Sequence, residues 1–120
     1  MLLNQTLGEY IKDIRTQNAL KCSDLAKMLG ISTAYLCQIE NGARSHPSED
    51  LILQIAVALD LTSVESTTLF DLYAETSGQL PPDITEYLSD NKTAQHALRK
   101  ARDAKATDAD WKRFIEQLKK

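Results

Sequence analysis

Residues 22–42 read Cys22-Ser23-Asp24-Leu25-Ala26-Lys27-Met28-Leu29-Gly30-Ile31-Ser32-Thr33-Ala34-Tyr35-Leu36-Cys37-Gln38-Ile39-Glu40-Asn41-Gly42. Leu25, Ala26 and Leu29 fall on one face of a short helix over about 23–29, and Gly30 stops it. Ser32 caps a second helix over 33–40, which buries Leu36 and Ile39 and ends at Asn41-Gly42. Ala26 is small where the two helices approach each other, and Leu25, Leu29, Ile31, Leu36 and Ile39 supply the apolar contacts between them. Two helices joined through a tight glycine-containing turn make a helix-turn-helix unit. With Leu36 and Ile39 turned inward, the opposite face of the second helix carries Thr33, Ala34 and Gln38. Those side chains suit base edges: Gln bonds bidentately to adenine, while Ala and the Thr methyl contact the thymine methyl.

Outward from this stretch the periodicity stays helical. Leu7, Tyr10, Ile11 and Ile14 predict a first helix over about 6–18. Pro47-Ser48 opens a helix with the apolar stripe Leu51, Ile52, Ile55, Ala56 and Leu59. Thr62-Ser63-Val64-Glu65 is a capping box that starts the next helix, which carries Leu69, Phe70, Leu72 and Tyr73 to Ser77. Ile84, Tyr87 and Leu88 predict a short helix. Residues 92–104 are rich in Ala, Lys and Arg, and Thr107 caps a last helix bearing Trp111, Phe114, Ile115 and Leu118. Alternating β-branched runs are missing from the sequence, so the expected fold is all-α.

In order and spacing, residues 7–62 resemble the phage-repressor/Cro-like (lambda-repressor-like, or XRE) helix-turn-helix family. The resemblance rests on the tract Asp24–Ser32, on Tyr35–Gly42, and on Pro47 with the following Leu51–Leu61 helix. It implies a five-helix DNA-binding domain with a C-terminal helical extension, helix 33–40 entering the major groove and helix 23–29 crossing the backbone. It places Thr33, Ala34 and Gln38 at base-contacting positions, and Tyr35, Asn41 and Arg44 at or near phosphates, with the backbone N–H of Asn41 as a further donor. Ser32, Lys21 and Cys22 complete the DNA-facing set. Lys21 and Cys22 stand where the family has a Thr or Ser cap followed by Gln, so Lys21 takes over the phosphate contact. Arg15 and Glu40 match a structural ion pair of the family.

The chain has 120 residues, 14 Lys+Arg and 17 Asp+Glu, a net charge of -3. Residues 1–78 hold five basic and ten acidic side chains, and residues 79–120 hold nine and seven. The charge changes at Ser77-Gly78-Gln79-Leu80-Pro81-Pro82, where Gly and Pro-Pro break a helix. This divides a DNA-binding domain, 1–78, from a helical extension, 79–120. The negative total argues against a general polyanion binder and predicts weak non-specific affinity, so selectivity rests on base contacts and on pairing of protomers.

Other chemistry is poorly represented. No apolar stretch reaches the ~18 residues of a membrane span, and Met1-Leu2-Leu3-Asn4 is no signal peptide, so the expected location is the cytoplasm. His46 and His96 join no ligand cluster, and no nucleophile–base pair or phosphate loop stands out. Neither an enzyme nor a metal or cofactor site is expected. Cys22 and Cys37 make no disulfide scaffold. Cys37 reads as an inert thiol packed between helices, and Cys22 shows no resolving partner in the sequence. Tyr35 reads equally as a surface aromatic packed on its neighbours.

The stripe Trp111, Phe114, Ile115 and Leu118 must pack on its own chain, on a second protomer, or on another protein. Homodimerisation is the preferred reading, because paired domains read two half-sites. Arg99, Lys100, Arg102 and Lys105 form a solvated basic face, with flanking DNA or an acidic partner as the other reading. The leading expectation is a sequence-specific dimeric repressor on an operator in double-stranded DNA. The alternative is an antitoxin whose C-terminal region binds a toxin while its N-terminal domain represses the shared promoter.

Overall fold

The computed structural model describes residues 5–43 and 47–119. All their regular structure is helical: α1 Leu7–Gln17, α2 Cys22–Leu29, α3 Thr33–Glu40, α4 Glu49–Ala58, α5 Ser63–Ser77, α6 Pro82–Ser89, α7 Lys92–Asp103 and α8 Asp108–Leu118. The expected helix positions are reproduced in order, with ends that move by a residue or two. The helices form two compact units, the first ending at Thr85 and the second beginning at Glu86.

In the first unit α1 packs on α3 and α5, α2 on α3 and α4, and α4 on α5. The core between them contains Leu7, Ile11, Leu25, Leu36, Ile39, Ile52, Ile55 and Leu69, all nearly or fully excluded from solvent. Each belongs to a 3–4 spaced apolar stripe, so burying the stripes fixes the rotation of each helix about its axis. For α3 this rotation is set by Leu36 and Ile39.

Local chemistry sets the helix ends. The hydroxyls of Thr6, Ser32, Ser48, Thr62 and Thr107 each accept a backbone N–H in the first turn of the following helix. Thr6 with Glu9, Thr62 with Glu65 and Thr107 with Asp110 complete reciprocal capping boxes. Gly30 closes α2 in the left-handed conformation, φ 71°. The Ile31 N–H then donates to the Ala26 carbonyl at 3.0 Å and the Gly30 N–H to that of Lys27 at 3.2 Å, a Schellman closure. This turns the chain from α2 into α3.

Gly8 answers a different need. A Cβ built on it would lie 2.3 Å from the Ile39 carbonyl oxygen and 2.6 Å from that of Glu40. Only a residue without a side chain lets α1 come this close to the end of α3. In the second unit Trp111 and Phe114, one turn apart on α8, pack edge to face, ring centroids 6.0 Å apart.

Candidate nucleic-acid interface

The two helices of residues 22–42 are held from below by an ion pair. The Arg15 Nε donates to Glu40 Oε2 at 2.8 Å and its Nη2 to Glu40 Oε1 at 2.9 Å. A third donor, Nη1, reaches the Leu20 carbonyl at 2.7 Å. Both side chains are buried, with 11% and 4% of their surface exposed. The Glu40 hydrogen bonds raise the Arg15 pKa further above its already high ordinary value. A single guanidinium thus ties α1 to the C-terminal end of α3 and to the connection entering α2. The structural role expected of this pair is the role it has.

On the other side of α3 lie the candidate contact residues. Ser32, Thr33, Ala34 and Gln38 are exposed, and Tyr35 is half-buried against the core. Ser32 is the N-cap, its Oγ accepting the Tyr35 N–H at 3.0 Å. Lys21 is exposed at the N-cap of α2, its backbone N–H donating to Asp24 Oδ2 at 2.8 Å. Cys22, the first residue of α2, is half-buried rather than open to solvent. Asn41 is exposed at the C-cap of α3. Its backbone N–H donates to the Cys37 carbonyl at 2.9 Å, so the expected extra donor for a phosphate is already engaged by the helix. Only its side chain remains for that purpose. Arg44 and His46 lie outside the described residues.

A further correction concerns the cysteines. Cys22 Sγ and Cys37 Sγ are 3.1 Å apart, and Cys22 Sγ is also 3.9 Å from the Thr33 carbonyl oxygen. Cys37 therefore packs between the helices as expected, but it packs on the thiol that seemed to lack a resolving partner. The fifteen-residue separation in sequence carries no pairing signal. It is the angle at Gly30 that brings the two side chains together. Burial, the hydrogen bond with Cys37 and the charge of Glu40 push the Cys22 thiol up from an ordinary 9.0 to about 11, with Arg15 opposing.

Among the described residues no group of three or more His, Cys, Asp or Glu could hold a metal ion. No described helix is long and apolar enough to cross a membrane. What the surface offers is a short helix held rigidly from beneath and presenting small, hydrogen-bonding side chains.

A family profile described as helix-turn-helix matches residues 11–66, the segment that contains this surface. The chain belongs to the helix-turn-helix family. It is 44% identical over 61 residues to the ImmF control region 10 kDa protein of Bacillus phage phi105, covering 51% of this chain and 67% of the relative. It is 30% identical over 90 residues to the HTH-type transcriptional regulator SinR of Bacillus subtilis (strain 168), covering 73% of this chain and 78% of that one. SinR of Bacillus licheniformis is 29% identical over 112 residues, covering 93% and 88%. No solved structure matches the chain significantly.

Proposed function

We propose that this DNA-binding transcriptional regulator is a sequence-specific repressor that acts as a dimer in the cytoplasm, with α3 in the major groove of its operator. The observation that carries the reading is the exposure of Thr33, Ala34 and Gln38 on a helix locked by Leu36, Ile39 and the Arg15–Glu40 pair. Gln38 reads a base edge through its amide. Ala34 and the Thr33 methyl offer apolar contact to a thymine methyl. Lys21, Tyr35, Asn41 and Arg44 serve the phosphates, and Ser32 and Cys22 lie beside them at the helix N-termini. The reading assigns no catalysis to the chain.

Dimerisation is assigned to residues 79–120, because Phe114, Ile115 and Leu118 are exposed along α8. An exposed apolar stripe of this kind marks an interaction surface. A second copy covers it and supplies the recognition helix for the second half-site. Co-purification of a small basic protein on that stripe would favour the antitoxin reading instead.

Selection of bound sequences from random DNA, at stated salt, tests the whole reading. The expected result is two related half-sites. Gln38→Ala should then lose discrimination at one base pair in each half-site, by about 1–3 kcal/mol. Selection of the same sequences by the Gln38→Ala chain removes the base-reading role.

A further inference from the structure

The two thiols of the helix-turn-helix lie closer together than unconnected sulfur atoms normally do. Their 3.1 Å separation is below the roughly 3.5–4.0 Å of ordinary nonbonded contact and about 1 Å above a covalent S–S bond. Both are free and both are half-buried, so a small oxidant can reach them. They sit on different helices, Cys22 at the first position of α2 and Cys37 inside α3. The Arg15 guanidinium lies within electrostatic reach of both sulfurs, a cation that favours a thiolate, while the Glu40 carboxylate paired with it opposes a thiolate at Cys22 more strongly.

We propose that Cys22 and Cys37 are a redox-modification site: a hydroperoxide converts them into a reversible disulfide that clamps α2 to α3 and lowers affinity for the operator. The first step is attack of one thiolate on the peroxide O–O bond, which gives a sulfenic acid and releases water once the departing hydroxide takes up a proton. The second thiol then attacks the sulfenic sulfur, its proton leaving with the hydroxyl as a second water. In sum two thiols and hydrogen peroxide yield one disulfide and two waters, and a dithiol reductant reverses the change. As the attacking group, the Cys22 thiol, pushed up to about 11, reacts slowly at neutral pH and faster as pH rises, since the thiolate is the nucleophile.

The effect on binding rests on the DNA reading given above and on geometry. Bond formation brings the two sulfur atoms about 1 Å closer and pins the first turn of α2 to the middle of α3, and a displacement of either element beyond roughly 0.5 Å is more than recognition geometry tolerates. It also removes the S–H of Cys22 from its contact with the carbonyl of Thr33, the first residue of α3.

The test uses the full chain, with hydrogen peroxide as the oxidant. The oxidised chain should lose the mass of two hydrogen atoms, remain uncrosslinked to other chains and regain free thiols with dithiothreitol. Its affinity for the DNA selected by the reduced chain should fall about tenfold or more, the scale of one lost specific contact. Cys37→Ser should bind that DNA like the native chain when reduced and keep its affinity after peroxide. Persistence of two alkylatable thiols, crosslinking between chains, or conversion to sulfinic acid would overturn the disulfide. Its formation with unchanged affinity would overturn the regulatory role. If the reduced chain selects no DNA, the DNA reading fails, while the mass change still decides whether the disulfide forms.

Discussion

Arg15 spends all three of its donor groups on positioning. Two nitrogens hold Glu40 and one holds the Leu20 carbonyl, so α1, the approach to α2 and the end of α3 share one side chain. Arg15→Met leaves a carboxylate buried without its partner, which costs about 3–5 kcal/mol. Thermal unfolding of this variant should show a large loss of stability. Adding Glu40→Leu should recover much of it, because the pair's own net contribution is small compared with the penalty of breaking it. A double variant no better than Arg15→Met would mean that the Leu20 contact carries the effect. Gly8 is as demanding, yet nothing local announces it. Its need for a bare Cα comes from the carbonyls of Ile39 and Glu40, some thirty residues away.

At the scale of elements, capping signals did most of the work. Thr6, Ser32, Ser48, Thr62 and Thr107 satisfy orphan N–H groups through their own side chains, so residue type alone marks each start. The ends were less legible. Ala19, Asp60 and Lys105 occupy the left-handed region, φ 57°, 53° and 57°, and follow helices that end without glycine. At Ala19 the backbone pattern repeats that at Gly30: Leu20 N–H to Arg15 O at 3.1 Å and Ala19 N–H to Thr16 O at 3.0 Å. The closure is imposed by packing of the next segment against the cost of a misplaced Cβ, about 1–2 kcal/mol per residue. Ala19→Gly should therefore stabilise the chain by about 0.5–1 kcal/mol. A chemical-denaturation midpoint that does not rise would show that the unfolded-state entropy of glycine cancels the gain.

For the molecule as a whole, the number of phosphates the chain neutralises, rather than its net charge of -3, sets how binding responds to salt. Lys21 and Arg44 are the only cations in the proposed contact set. About two phosphates neutralised per protomer correspond to a slope of roughly -4 for a dimer in a plot of log affinity against log salt. A measured slope near -10 would place many more phosphate contacts on the protein, with the basic face of Arg99, Lys100, Arg102 and Lys105 the first place to seek them. The dimer itself is tested by Ile115→Glu with Leu118→Glu, two exposed positions. Analytical ultracentrifugation should then show monomers, with operator affinity reduced by loss of pairing. An intact dimer would move the self-association surface elsewhere.

Local patterns in the sequence determined the eight helices, the capped starts, the inward face of α3 and hence the outward set Thr33, Ala34 and Gln38. Such features depend on neighbours three or four residues apart, and a linear reading reaches that far. The Asn41 N–H needed the helix to be traced to its last turn, where the Cys37 carbonyl takes it. Tertiary structure alone decided that Gly8 must be glycine and that Cys22 lies against Cys37. Both are distances between elements, set by how the helices pack around Leu25, Leu36 and Ile39, and no spacing along the chain encodes them.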